Sequence, residues 1–204
     1  MLPLFAIKSF FLPPAALFED TLCASGYEVY DRISEPYQKF LSSLTVTFAQ
    51  PYFQQAAERG GFRLYDKPRG FSRKHRFRPD RAVHPLVRTN GTTGWPCIFP
   101  VGAHISHVNG VTQEESDSLL KWFNQLVTDN HDLQVRFRWQ NPNDIAIWDN
   151  RSVFHAATFD YDGLGDRFGN RVVGIGEKPF FDPNSVSRRE ALEGQAIGSP
   201  FMVR

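Results

Sequence analysis

Hydrophobic positions along this chain follow a helical repeat in three stretches and a two-residue repeat in its second half. Ser25 to Glu28 has the S-x-x-E form of a capping box and predicts a short helix directly after it. Ser34 opens a second helix, with Pro36 in its first turn and Tyr37, Phe40, Leu41 and Leu44 at helical spacing. The clearest helix begins at Thr112 and Glu115, another capping box. Leu119, Trp122, Phe123, Leu126 and Val127 form its apolar stripe, and the polar run from Asp129 to Asp132 ends it.

Beyond that helix the period falls to two. Val135, Phe137 and Trp139 alternate with Gln134, Arg136 and Arg138, the pattern of a half-buried strand. After an Asn-Pro-Asn-Asp turn, Ile145 to Trp148 predicts a more fully buried strand. Residues 152–157 and 171–176 predict two more, and 45–49, 86–90 and 97–101 predict short earlier ones. Short strands separated by turn signals, with a few helices outside, point to a β-sandwich or jelly roll with helical decoration.

Composition narrows the class. A chain of 204 residues with 41% hydrophobic and 14% aromatic residues has ample material for one buried core. Lys+Arg 23 against Asp+Glu 22 leaves a net charge of +1, which removes any general electrostatic reason to bind nucleic acid or an anionic membrane. The basic cluster of Arg69, Arg73, Lys74, Arg76, Arg78 and Arg81 therefore reads as a solvated loop. Cys23 and Cys97 cannot build a disulfide framework, and no CxxC pair suggests a zinc clip.

The first residues are apolar but lack a basic leading segment. Lys8 interrupts them, and Pro3, Pro13 and Pro14 argue against both a signal-peptide helix and a central strand. No stretch of about 18 uninterrupted apolar residues occurs that would span a membrane. The expectation is a soluble, cytoplasmic protein with an atypical segment at 1–19, no nucleic-acid or membrane partner, and an oligomeric state left open.

The densest chemistry lies in WDNRSVFHAATFDYDGLGDRFGNR, residues 148–171. Alone, a histidine on a strand is ordinarily packed or hydrogen-bonded, and arginines beside glycines ordinarily lie at the surface. Together, in order and spacing, they resemble the C-terminal half of the TauD/TfdA (taurine dioxygenase) family of Fe(II)/2-oxoglutarate-dependent oxygenases, and its fungal sulfonate dioxygenases in particular. HPLVRTN at 84–90, the QVRFRW strand, NPNDIAIWDNRSVFHAATFDYDGLGDR at 141–167 and DTLCASGYEVYDRISEPYQKFL at 20–41 also carry the resemblance. It covers most of residues 20–192 and leaves 193–204 as a tail.

The resemblance implies a mainly β fold with flanking helices, a double-stranded β-helix (jelly roll) truncated at its N-terminal strands. It implies Fe(II) as cofactor and 2-oxoglutarate as co-substrate, whose decarboxylation is coupled to hydroxylation of a small anionic substrate. On this resemblance His155 is an iron ligand. Arg167 pairs with the distal carboxylate of 2-oxoglutarate, and Thr21 adds a hydroxyl donor to the same group. Arg171 holds the sulfonate or carboxylate of the substrate. On a strand, its spacing of four from Arg167 returns to the same face.

The family's remaining two iron ligands form an HxD or HxE motif. None of His75, His84, His104, His107, His131 and His155 has an acid two residues later, so the sequence supplies one ligand of three. His104 and His107 make an HxxH, but on a strand that spacing sends them to opposite faces. The expected function is a taurine/alkyl-sulfonate-type oxidoreductase by family, with the missing motif setting the activity of this chain in question. The alternative is a non-catalytic anion-binding pseudoenzyme or a truncated product.

Overall fold

The computed structural model describes residues 3–11, 20–49, 51–63, 81–141, 144–159 and 168–198. In chain order its elements are β1 (Pro3–Phe11), β2 (Thr21–Ser25), α1 (Gly26–Asp31), α2 (Glu35–Ser42), β3 (Thr45–Ala49) and α3 (Pro51–Gly60). There follow β4 (Arg81–Pro85), β5 (Val87–Thr89), β6 (Pro96–Ile98), β7 (Ile105–Asn109), α4 (Gln113–Thr128) and a 3-10 turn at His131–Leu133. The last are β8 (Gln134–Phe137), β9 (Ile145–Asp149), β10 (Val153–Ala157), β11 (Phe168–Ile175) and α5 (Arg188–Gly198). The chain is thus mainly β with helices around it.

The strands form antiparallel ladders in the orders β11-β1-β9, β10-β2-β8, β4-β3-β7 and β5-β6. The helix starts lie where the capping residues predict them. The Ser25 hydroxyl accepts from the Glu28 N–H at 3.3 Å, and Thr112 and Glu115 close a full reciprocal box at the head of α4. Ser34 makes no capping bond, so α2 begins on backbone geometry, with Pro36 preset in its first turn.

The core gathers Val29, Tyr30 and Ile33 around α1, Leu41 and Leu44 at the end of α2, and Val46, Val87, Ile98 and Val108 from the strands. Phe123 of α4 is completely buried, and Leu119, Trp122, Leu126 and Val127 pack partly against the same cluster, as the stripe predicts. In α2, by contrast, Tyr37 and Phe40 remain exposed, and Tyr37 meets Trp122 edge-on at 5.5 Å.

Three expectations are corrected. The Ile145–Trp148 strand is not fully buried: Ile145 and Ile147 are 60% and 67% exposed, and only Trp148 is enclosed. β9 is an edge strand, and the face that carries the isoleucines is open. The half-buried reading of β8 fails for the same reason, since Val135 is exposed on an edge strand while Trp139, past its end, is buried. The prolines also do not keep the first residues out of a sheet. β1 lies between β11 and β9, because Pro3 stands at its first position and Pro13 and Pro14 follow its last. Of the basic cluster, Arg81 opens β4 exposed, and the other members lie outside the described residues. Among the described residues no helix is long and apolar enough to cross a membrane.

Candidate functional site

The site is built on β2, which pairs with β10 on one side and β8 on the other. His155 stands opposite Cys23, and Cys23 opposite Val135; Ala157 stands opposite Thr21, and Thr21 opposite Phe137. Directly paired residues point to the same face, so His155, Cys23 and Thr21 share one face of this sheet. The alternate positions, Ala24 and Phe154 among them, face the hydrophobic core.

His155 is exposed, and its ring packs tilted against Trp148 of β9, with centroids 4.8 Å apart and planes at 52°. The short turn between β9 and β10 fixes this approach. The Trp148 indole donates to Asn150 Oδ1 at 2.8 Å, and the Asp149 carboxylate accepts from the Arg151 N–H at 2.9 Å. Gly26 lets the turn lie close to α1, since its N–H donates to the Ser152 carbonyl at 2.7 Å and an added Cβ would sit 3.1 Å from that oxygen.

Thr21 is buried, and its hydroxyl oxygen accepts from the Trp139 indole N–H at 3.1 Å. Asp20 beside it is equally buried and accepts from Arg136 Nε, with Arg138 Nε 3.8 Å from the same oxygen. Its backbone closes the end of the β2-β10 ladder through Thr158: the Asp20 N–H donates to the Thr158 hydroxyl, and the Asp20 carbonyl accepts from the Thr158 N–H.

Arg171 is exposed on β11. The register through β1 aligns Arg171 with Ala146 and Val173 with Trp148. Arg171 therefore stands on the face of its sheet that carries Trp148, the residue packed against His155. Arg167 lies outside the described residues. The structure thus joins His155 and Thr21 on one sheet face and sets Arg171 on the Trp148 face of the adjoining ladder.

A buried charge network, which the sequence reading missed, supports the turn. Arg88 is almost wholly enclosed and donates to Glu177 Oε1 at 3.1 Å. Arg151 pairs with Asp149 at 2.7 Å and with Glu177 at 3.5 Å, while Asn90 donates to both Asp149 and the Tyr27 hydroxyl. Burial works to raise the Asp149 carboxyl, but the Arg151 and Asn90 hydrogen bonds outweigh it and hold it below the ordinary range. The one signal in the sequence was an arginine set inside the apolar run of residues 86–89.

Burial pushes the Cys97 thiol up to about 12 and also raises that of Cys23. His84, enclosed between Phe48 and Phe99, is pulled down to about 4, first by burial and further by the Arg88 cation. Fe(II) requires several ligands on one side of the metal. Among the described residues no group of three or more His, Cys, Asp or Glu side chains is placed to hold a metal ion. His104 precedes β7 and His107 lies within it, so the HxxH adds no such group. The described residues therefore do not by themselves complete an iron site.

The family model for the taurine catabolism dioxygenase TauD, TfdA family matches residues 19–173. The alpha-ketoglutarate-dependent dioxygenase btcD of Neocamarosporium betae is 51% identical over 88% of this chain and 53% of its own length. The alpha-ketoglutarate-dependent sulfonate dioxygenase of Saccharomyces cerevisiae is 34% identical over 80% of this chain and 37% of its own. The crystal structure of a taurine dioxygenase from Burkholderia xenovorans superimposes with a TM-score of 0.68 at 25% identity, covering 90% of this chain and 56% of that one. The chain spans about half the length of these relatives or less. With the family model spanning both the β2 segment and the strand that bears His155, the chain belongs to the TauD/TfdA family of dioxygenases.

Proposed function

We propose that the protein works as an Fe(II)- and 2-oxoglutarate-dependent dioxygenase of the taurine/alkyl-sulfonate type, and that this chain contributes four residues to its site. His155 is one iron ligand. Thr21 and Arg167 take the distal carboxylate of 2-oxoglutarate, and Arg171 takes the sulfonate or carboxylate of a small anionic substrate. When bound, iron and 2-oxoglutarate couple decarboxylation to hydroxylation; the residues named here hold and orient the two anions. The reading includes a cytoplasmic location.

The observation that carries this reading is the shared face of His155 and Thr21 across the β10-β2 ladder. It brings an imidazole and a hydroxyl onto one surface from segments far apart in sequence. The sulfonate dioxygenase named among the relatives supports an anionic substrate. Succinate formation from 2-oxoglutarate with Fe(II) and taurine tests the reading. Turnover that disappears in His155→Ala is the expected result, and turnover indifferent to that change overturns the assignment of His155.

A second reading is favoured by the lack of a three-ligand group among the described residues. On it, Arg167 and Arg171 bind 2-oxoglutarate or a sulfonate without catalysis. Calorimetric binding unaffected by a chelator, with no succinate formed, selects this reading; absence of binding removes it.

A further inference from the structure

We infer that Trp139 is a positioning residue for 2-oxoglutarate, acting through Thr21. The inference rests on the proposed role of Thr21 and adds what orients its hydroxyl. An indole N–H can only donate, so the bond from Trp139 Nε1 to Thr21 Oγ1 fixes the threonine oxygen as acceptor. Its own proton must then point elsewhere. Among the described residues no hydrogen bond uses that proton, although Thr21 is only 2% exposed. A buried hydroxyl with an uncommitted donor is costly unless something accepts from it. A carboxylate oxygen on the same sheet face as His155 is such an acceptor, and the bond to it is charge-assisted.

The surroundings make the orientation rigid. Trp139 is itself buried and meets Phe137 edge-on at 4.8 Å, and Phe137 is the direct cross-strand partner of Thr21. Asp20 is held by Arg136 on the β8 side and by Thr158 on the β10 side, so the backbone of Thr21 is anchored from both neighbouring strands. With backbone, oxygen and ring all fixed, the Trp139 N–H occupies one lone pair of the Thr21 hydroxyl and narrows the directions its proton can take.

A double-mutant cycle read by calorimetric 2-oxoglutarate affinity tests this. Thr21→Val removes the donor and is expected to weaken binding about tenfold, while Thr21→Ser retains most of the affinity. Trp139→Phe removes the orienting N–H together with part of the buried ring and is expected to weaken binding about fivefold. In the Thr21→Val background, Trp139→Phe should produce no further loss, a result that a merely structural role for the ring would not give. If Trp139→Phe fails to fold, 3-benzothienylalanine at position 139, with sulfur in place of the N–H, keeps the shape and makes the same test. Affinity unchanged by either replacement of Trp139, or equal losses in both backgrounds, overturns the inference and leaves Thr21 in place. No 2-oxoglutarate binding, or binding indifferent to Thr21→Val, overturns the role of Thr21 and the inference with it.

Discussion

The imidazole of His155 rests on the indole of Trp148, one ring exposed and the other buried, across the turn that joins β9 to β10. On the role proposed for His155, the two residues separate function from stability. His155→Ala removes an exposed side chain and should alter the unfolding free energy by no more than about 0.5 kcal/mol, while Fe(II)-dependent succinate formation is lost. Trp148→Ala should cost about 3 kcal/mol through loss of buried aromatic surface. Urea denaturation beside a turnover assay separates the two effects.

Arg151 supports the same turn from within. Arg151→Met leaves the Asp149 and Glu177 carboxylates without their shared cation and should destabilise by about 3 kcal/mol. Adding Asp149→Asn to that variant should recover part of the loss, because one uncompensated charge is removed. A double-mutant cycle in urea measures the coupling.

The capping box of α4 is a local and separable contribution. Thr112→Ala deletes the acceptor for the Glu115 N–H and the hydroxyl bond to the Glu115 carboxylate, which keeps only the backbone N–H of residue 112. A loss of about 1 kcal/mol is expected, with amide exchange accelerated most in the first turn of the helix.

His84 sets an acid limit on stability. Its folded value of about 4 lies below the ordinary 6.5, so the unfolded chain takes up a proton that the native state refuses. Its contribution is complete above pH 6.5 and is lost as pH falls toward 4, by up to about 3 kcal/mol. Thermal midpoints measured between those limits should fall in the native protein and flatten in His84→Gln.

The two thiols should be slow to alkylate in the folded protein. With a value of about 12, Cys97 is thiolate in roughly one molecule in ten thousand at pH 8, and its Sγ is engaged with the Arg151 carbonyl at 3.1 Å. Iodoacetamide followed by mass spectrometry should mark half-buried Cys23 first and Cys97 only after denaturation.

Local signals in the sequence specify structure where the physics is local. Ser25, Thr112 and the stripe ending in Val127 specify α1 and α4 within a few residues, and β3 occupies the expected 45–49. Periodicity identified the apolar face of β9 but could not say what covers it, so Ile145 and Ile147 were placed inside and stand exposed. β2 was recognised as a motif rather than a strand, because its pairing depends on β8 and β10 far along the chain. The strand that carries His155 was legible, since β10 falls within the expected 152–157. Trp139 and Arg88 were not, since their partners Thr21 and Glu177 are 118 and 89 residues away.

That separation governs how the molecule comes into being. Asp20 joins Thr158 across 138 residues, and β1 finds both of its partners only in β9 and β11. During synthesis β1 and β2 must wait for β8, β9, β10 and β11, which follow them far along the sequence. Helices such as α4 can form as they appear, but the sheet bearing His155 must assemble late and slowly. In a cell this protein should therefore depend on chaperones that shield unpaired strands, and its yield should rise when synthesis is slowed by cooling.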